Sequence, residues 1–166
     1  MKKILKSKKI IPYQKINKFF KNLKKKTILC HGVFDLVHPG HIRHFAHCKQ
    51  KADILIVSLT RDEFIKKGVY RPLVPEDIRA FNLASLELVD YVIIDNNKTP
   101  YEIIKKIKPD YFAKGMEYSN LKNNLTLIEK KLVEKYGGKM IFSPGDFVLS
   151  STNIIKNIKP NLGYEK

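Results

Sequence analysis

The stretch that decides the fold is TILCHGVFDLVHPGH, residues 27–41. Its first eight residues, 27–34, form an apolar run that enters a glycine turn, and this pattern predicts a buried β-strand. A helix is predicted to follow over residues 39–52, because Pro39 is tolerated in a first helical turn, where its missing N–H costs nothing. The stretch therefore predicts a strand–turn–helix unit with histidines at the start of the helix.

The rest of the chain continues this alternation of apolar strands and amphipathic helices. Further strands are predicted over residues 53–60, 91–95, 110–115 and 139–144, and further helices over 76–89, 99–109, 125–138 and 150–158. We therefore expect an α/β fold, a Rossmann-like open parallel five-stranded sheet with helices on both faces. Ligands bind such sheets beyond the carboxyl ends of the strands, where the strand order reverses, so the first strand–helix turn is the expected site.

The charge of the chain is concentrated at its start. The formal net charge is +16, and residues 1–26 contain 11 lysines and no acidic residue. Ile16, Phe19, Phe20 and Leu23 recur at helical spacing within residues 15–26, which predicts a basic helical extension with one apolar stripe. Whether this extension docks on the core, joins a dimer partner or attracts acidic metabolites is left open.

Nucleic acid is an unexpected partner despite this charge. Only four of the 32 basic residues are arginines, and arginine is the preferred side chain for base edges and phosphate forks. A basic nucleic-acid-binding protein is kept as the non-enzyme alternative.

Length and apolar content favour one cytoplasmic domain. The chain has 166 residues, which is enough for one domain with a real core. Its apolar runs are far shorter than the roughly 18 residues of a membrane span. No apolar segment follows the basic start as it would in a secretory signal. We expect a cytoplasmic location and no membrane partner.

A metal site is weighed and disfavoured. All five histidines lie between residues 31 and 47, and Cys30 and Cys48 have no paired spacing. His41, His44 and His47 at successive i+3 steps, with Cys48, could graze one helix face. Helical rotation spreads these side chains too widely for a compact site, so no metal ligand is predicted.

The chemistry-bearing residues lie in the turn itself. His38 and His41 flank Pro39-Gly40 at a helix N-terminus, where free N–H groups and the positive dipole end attract anions. Gly40 lets a phosphate approach the backbone, Gly32 relaxes the chain after the strand, and Asp35 places a carboxylate at the sheet edge. No serine or cysteine is paired with a base, so this turn is suited to holding a triphosphate rather than to covalent catalysis.

The turn also carries a resemblance. GVFDLVHPGH matches the G-x-F-D-x-x-H-x-G-H signature of the cytidylyltransferase-like nucleotidyltransferases, and the resemblance extends over most of residues 27–158. Three further segments resemble family motifs in the right order: Arg71-Pro72 with the EDIR that ends at Arg79, KPDYFAKGMEY (108–118) and SSTNII (150–155). The second of these resembles the adenylyltransferase domain of ADP-heptose synthase.

The resemblance implies an organisation and a reaction. It divides the chain into a basic extension (1–26), a nucleotidyltransferase domain (27–158) and a tail (159–166), and it implies a homodimer. A phosphate oxygen of the acceptor, a phosphorylated sugar or polyol, would attack the α-phosphorus of ATP or CTP with Mg²⁺ present. Pyrophosphate would leave, and the product would serve surface-polysaccharide synthesis.

The resemblance also implies residue roles. The expected catalytic residues are His38, His41, Lys67, Arg79 and Thr152. The expected nucleotide-binding residues are Gly32, Val33, Phe34, Asp35, Gly40, Lys114, Gly115, Ser150 and Ser151. Arg71 is expected to contact the acceptor.

The nucleotide and the acceptor are less sharply indicated. The glycerol-phosphate cytidylyltransferase branch has an arginine shortly before its closing motif, and SPGDFVL (143–149) contains no basic residue. Together with residues 108–118, this favours ATP and a sugar 1-phosphate over CTP and a polyol phosphate, which remain the alternative. A class I tRNA synthetase relative is disfavoured because the chain is short and has no K-M-S-K-S-like loop.

Overall fold

The structure, a computed structural model, describes residues 6–66, 71–120 and 124–144. Its sheet contains five strands: β1 (Thr27–Gly32), β2 (Ile54–Thr60), β3 (Tyr91–Asp95), β4 (Tyr111–Gly115) and β5 (Lys139–Ser143). Their order is β3-β2-β1-β4-β5, and every neighbouring pair is parallel. The predicted five-stranded parallel sheet is confirmed. The strand order reverses between β1 and β4, which makes the carboxyl ends of these two strands the expected ligand edge.

Helices cover both faces of the sheet. They are α1 (Ile16–Phe20), α2 (Pro39–Lys49), α3 (Glu76–Ala84), α4 (Tyr101–Ile107) and α5 (Asn124–Lys135). One core joins the sheet to α2 and α3, and the other joins it to α1, α4 and α5. β1 alternates between them, because Ile28 and Cys30 face the first core and Leu29 faces the second.

The N-terminal segment is less helical than predicted and packs on the sheet. The α-helix covers Ile16–Phe20 rather than residues 15–26, since a run of lysines with like charges follows it and repels itself. Ile16 and Phe20 are buried, as the apolar stripe predicted, whereas Phe19 is 40% exposed. Ahead of the helix, the N–H of Ile11 donates to the carbonyl of Val92 at 2.9 Å, so the segment borders β3.

Helix α3 ends at Ala84 rather than at residue 89 because the next carbonyls have other partners. The ammonium of Lys9 donates to the carbonyls of Leu86 and Val89 at 2.9 and 2.8 Å. These bonds hold residues 85–90 as a turn instead of a further helical turn. The predicted helix over 150–158 and the tail lie outside the described residues, and no described helix is long and apolar enough to cross a membrane.

Candidate active site

The turn after β1 holds its side chains through an uncommon backbone conformation. β1 ends at Gly32, and Phe34 follows with φ of 49°, a left-handed conformation that costs a non-glycine residue roughly 1–3 kcal/mol. His38, with extended backbone, then caps α2, and Gly40 lies in the first turn of the helix. The strained turn brings the helix N-terminus to the carboxyl end of β1.

His38 and His41 stack against each other at this helix start. Their ring centroids lie 3.9 Å apart, and the ring of Phe34 packs edge-on against His41 at 5.2 Å. His38 is only 8% exposed. Its side chain faces the N–H of His41 in a capping-box arrangement, but its Nδ1 has no partner at hydrogen-bond geometry among the described residues. Burial lowers the pKa of His38, so its ring is neutral near pH 7. A buried polar atom without a protein partner is commonly satisfied by water, an ion or a ligand, so this Nδ1 is a candidate ligand contact.

Asp35 fastens the loop that precedes α3. Its carboxylate is 3% exposed and accepts hydrogen bonds from the N–H groups of Leu73 and Val74 at 2.8 and 3.0 Å. Nε of Arg71 lies 2.7 Å from Oδ2 of Asp35, an ion pair that lacks the angles of a hydrogen bond. The structure thus occupies Asp35 and Arg71 with each other, and their expected contacts with nucleotide and acceptor stay predictions.

Arg79 also contacts the turn between β1 and α2. It is fully buried, and its guanidinium donates to three carbonyls and one carboxylate, those of Val33, Thr60, Val74 and Asp62. Four of the five N–H donors of Arg79 therefore already have protein partners. We assign Arg79 a positioning role in tying the β1–α2 turn to β2 and α3, and a direct triphosphate contact stays a prediction.

Lys114 and Gly115 are the last residues of β4, the strand beside β1 at the reversal of strand order. The ammonium of Lys114 forms an ion pair with the buried carboxylate of Glu129 on α5 and lies 4.6 Å from the ring centroid of Tyr118. Burial raises the pKa of Glu129, although the ammonium opposes that shift. Lys114 therefore lies beside the expected nucleotide edge with its charge directed toward α5.

A row of polar side chains, which sequence reasoning did not select, lies along the carboxyl ends of β1, β2 and β3. Nδ1 of His31 lies 2.7 Å from Oγ of Ser58 and 3.9 Å from Oδ2 of Asp95, and its Nε2 lies 3.3 Å from Oγ1 of Thr60. Oδ2 of Asp95 is buried and has no hydrogen-bond partner among the described residues. The available signal was polar residues at alternate positions near the ends of apolar strands, VSLT and VIID.

This polar row is electrostatically perturbed. Burial, assisted by the ammonium of Lys114, lowers the pKa of His31 to about 3, and burial raises the pKa of Asp95 to about 6. Neutral imidazole, hydroxyl groups and an unpaired carboxylate oxygen are suited to a ligand that carries hydroxyl groups.

The structure thus brings most of the predicted site together at one edge. Gly32, Val33, Phe34, Asp35 and Gly40 lie in the same turn as the histidine pair. Arg71 contacts Asp35 in this turn, and Arg79 donates to the carbonyl of Val33. Lys67, Ser150, Ser151 and Thr152 lie outside the described residues.

A dedicated magnesium site is not formed by the residues described. Asp35 is the carboxylate of the β1–α2 turn, and Arg71 and two backbone N–H groups already engage it.

An open parallel sheet with paired imidazoles at a helix start, at the strand-order reversal, defines a nucleotide-binding α/β protein. The cytidylyltransferase-like family matches residues 29–157. The chain belongs to this family, as the resemblance predicted.

Two relatives and one solved structure place the chain more closely. It is 40% identical over 144 residues to the bifunctional protein HldE of Aliarcobacter butzleri, covering 84% of this chain and 28% of the relative. It is 42% identical over 114 residues to the bifunctional protein HldE of Helicobacter pylori G27, covering 68% and 25%. The chain thus spans about a quarter of the length of these relatives. The lipopolysaccharide core biosynthesis protein of Thermoplasma volcanium GSS1 shares the fold, with a TM-score of 0.62, 24% identity, and coverage of 74% of this chain and 99% of that one.

Proposed function

We propose that this chain transfers a nucleoside monophosphate from ATP or CTP to a phosphorylated sugar or polyol and releases pyrophosphate, for the synthesis of surface-polysaccharide precursors. ATP and a sugar 1-phosphate are the favoured substrates. Residues 108–118 resemble the adenylyltransferase domain of ADP-heptose synthase, and the curated relatives above are HldE proteins. CTP with a polyol phosphate is the alternative.

The observation that carries this proposal is the unpaired, buried Nδ1 of His38 beside the ring of His41 at the start of α2. A triphosphate offers many acceptor oxygens, and helix N–H groups together with imidazole N–H groups supply donors for them. The ring of His38 is neutral, so its burial in the site does not carry the cost of burying a charge. A polyanion bound beside it would raise the pKa of His38.

The reaction needs positioning rather than a protein nucleophile. An oxygen of the acceptor phosphate forms a bond to the α-phosphorus, and the bond from that phosphorus to the bridging oxygen of the β-phosphate breaks. Pyrophosphate leaves with the bonding electron pair. His38 and His41 would donate hydrogen bonds to oxygens on which negative charge builds up, which is the form of electrostatic stabilisation that lowers such barriers most.

Several finer parts of the proposal come from the resemblance. Lys67, Ser150, Ser151 and Thr152 would contact phosphates, Mg²⁺ would accompany the nucleotide, and the enzyme would work as a homodimer. The cytoplasmic location is proposed from the composition of the sequence instead. The polar row from His31 to Asp95 supports an acceptor that carries hydroxyl groups.

The direct test is pyrophosphate release by the full chain from ATP and from CTP, each with Mg²⁺ and a pool of sugar 1-phosphates and polyol phosphates. We expect release with ATP and a sugar 1-phosphate, and none when the metal is chelated. Release with CTP and a polyol phosphate would instead support the alternative. Salt-sensitive binding to any nucleic acid, without nucleotide turnover or nucleotide binding, would overturn the proposal.

A further inference from the structure

A second cluster of reactive side chains lies behind the histidine pair, between α2 and the sheet. It consists of Cys30 on β1 and of His44 and Cys48, one helical turn apart on α2. Both cysteines are free and buried. The assigned reaction uses none of these three residues.

The three donor atoms converge on one point. The two sulfur atoms lie 3.5 Å apart, and Sγ of Cys48 lies 4.0 Å from Nε2 of His44. All three donor atoms lie within 4.8 Å of one another. Around a tetrahedral Zn²⁺ with bonds of about 2.3 Å to sulfur, ligand sulfurs lie about 3.8 Å apart. The observed triangle thus needs shifts of only tenths of an ångström at these two edges.

The imidazole is held in the orientation that a metal ligand requires. Nδ1 of His44 lies 2.8 Å from Oγ of Ser143 at the end of β5. If the imidazole donates its Nδ1–H to that oxygen, the lone pair of Nε2 faces the thiols, which is the arrangement that outer partners give metal-bound histidines. A surface cavity lined by His44, His47 and Ser143 reaches the imidazole from solvent and supplies an entry path.

We propose that Cys30, His44 and Cys48 bind a thiophilic d¹⁰ cation, Zn²⁺, as a site that fastens α2 to β1 and β5. Thiolates and imidazole are the ligands that Zn²⁺ prefers, and the two thiols release their protons on binding. The helix that carries His38 and His41 would then be held at its far side by a metal. This differs from the sequence-based expectation of no metal ligand, which judged Cys30 and Cys48 by their spacing along the chain and could not place Cys30 beside α2.

The test is a titration of the full chain, reduced and stripped of metal, with Zn²⁺ and with Co²⁺ as the spectroscopic probe. We expect one equivalent to bind, Co²⁺ to show thiolate charge-transfer absorption, and Zn²⁺ to raise the unfolding temperature. His44→Gln should weaken Zn²⁺ binding about 100-fold, and Ser143→Ala about 10-fold, the range seen when an outer partner is lost.

Controls separate the site from the fold around it. His44 is only partly buried, so His44→Gln is expected to fold even if Cys30→Ala does not. His47→Gln changes the nearest histidine of α2 outside the triangle and should bind Zn²⁺ like the wild type. Equal weakening in His44→Gln and His47→Gln would overturn the assignment. So would reduced thiols that bind no metal, or a chain that is isolated with a Cys30–Cys48 disulfide and takes up Zn²⁺ no better after reduction.

Discussion

Arg79 and His38 lie at the same corner of the molecule, yet their surroundings differ in one respect. Arg79 has no exposed surface, and its guanidinium donates hydrogen bonds to three carbonyls and to the carboxylate of Asp62. His38 is nearly as buried, but its Nδ1 has no hydrogen-bond partner among the described residues. A buried polar group whose donors nearly all have protein partners stabilises the fold, whereas a buried group without a protein partner is a candidate contact for a ligand. The sequence motifs alone treat both residues as parts of the site.

We expect the largest loss of stability from the substitution of Arg79. Arg79→Gln leaves several carbonyls and Asp62 without their partner, so we expect the free energy of unfolding to fall by about 3–5 kcal/mol, as when one member of a buried ion pair is removed. Denaturant unfolding measures this loss. Arg61→Gln, which removes a partly exposed arginine paired with Glu76, is the control and should cost less than about 1 kcal/mol.

One result would contradict the structural role of Arg79 and its contrast with His38. If Arg79→Gln unfolds like the wild type but loses turnover, Arg79 acts on the substrate itself, as the family resemblance implied.

The histidine pair should behave in the reverse way. His41→Ala should lower turnover by about 100-fold or more, the cost of losing a donor to developing charge, while the free energy of unfolding changes by less than about 1 kcal/mol. Pyrophosphate release and denaturant unfolding on the same preparation make the comparison. His47→Ala, in the last turn of the same helix, is the matched control and should retain turnover. A folded His41→Ala protein with normal turnover contradicts the assigned role.

Much of the scaffold could be predicted because it depends on local patterns. Strand β3 lies where its apolar run placed it, residues 91–95, and β1 and α2 begin at the predicted residues. Helix ends were less predictable: the carbonyls after α3 are taken by Lys9, 77 and 80 residues away along the chain, and no local signal shows that.

In the candidate site too, the features set by local sequence could be predicted, and those set by contacts between distant segments could not. The signature predicted where His38 and His41 lie, because both follow one short turn. It could not predict that four of the five donors of Arg79 would have protein partners, since these partners come from three separate loops and strand ends. The polar row, like the Cys30–His44–Cys48 triangle, requires knowing which strand lies beside which helix or strand. Pairings of that kind are set by the register of the whole sheet.

The polar row is the intermediate case, partly paired and partly not, and pH can resolve it. Between pH 7 and pH 5, His31 takes up a proton in the unfolded chain but not in the folded one, because its pKa falls from 6.5 to about 3 on folding. This lowers the free energy of unfolding by about 2 kcal/mol at pH 5. Asp95 acts in the opposite direction. Its pKa rises from 3.8 to about 6 on folding, so the folded chain takes up the proton and gains about 1 kcal/mol.

Single substitutions should separate these two slopes. His31→Asn should become more stable from pH 7 to pH 5, whereas Asp95→Asn should become less stable over the same range, each relative to the wild type, whose two contributions partly cancel. Denaturant unfolding at several pH values measures the slopes. Lys114 faces His31, and Glu102 faces Asp95, but both neighbours remain in each variant and keep the comparison matched. A flat profile for His31→Asn between pH 7 and pH 5 would mean that Asp95 takes up no proton on folding in this range. Oδ2 of Asp95 would then have a partner in solution, and the polar row would belong to the structural framework, as Arg79 does.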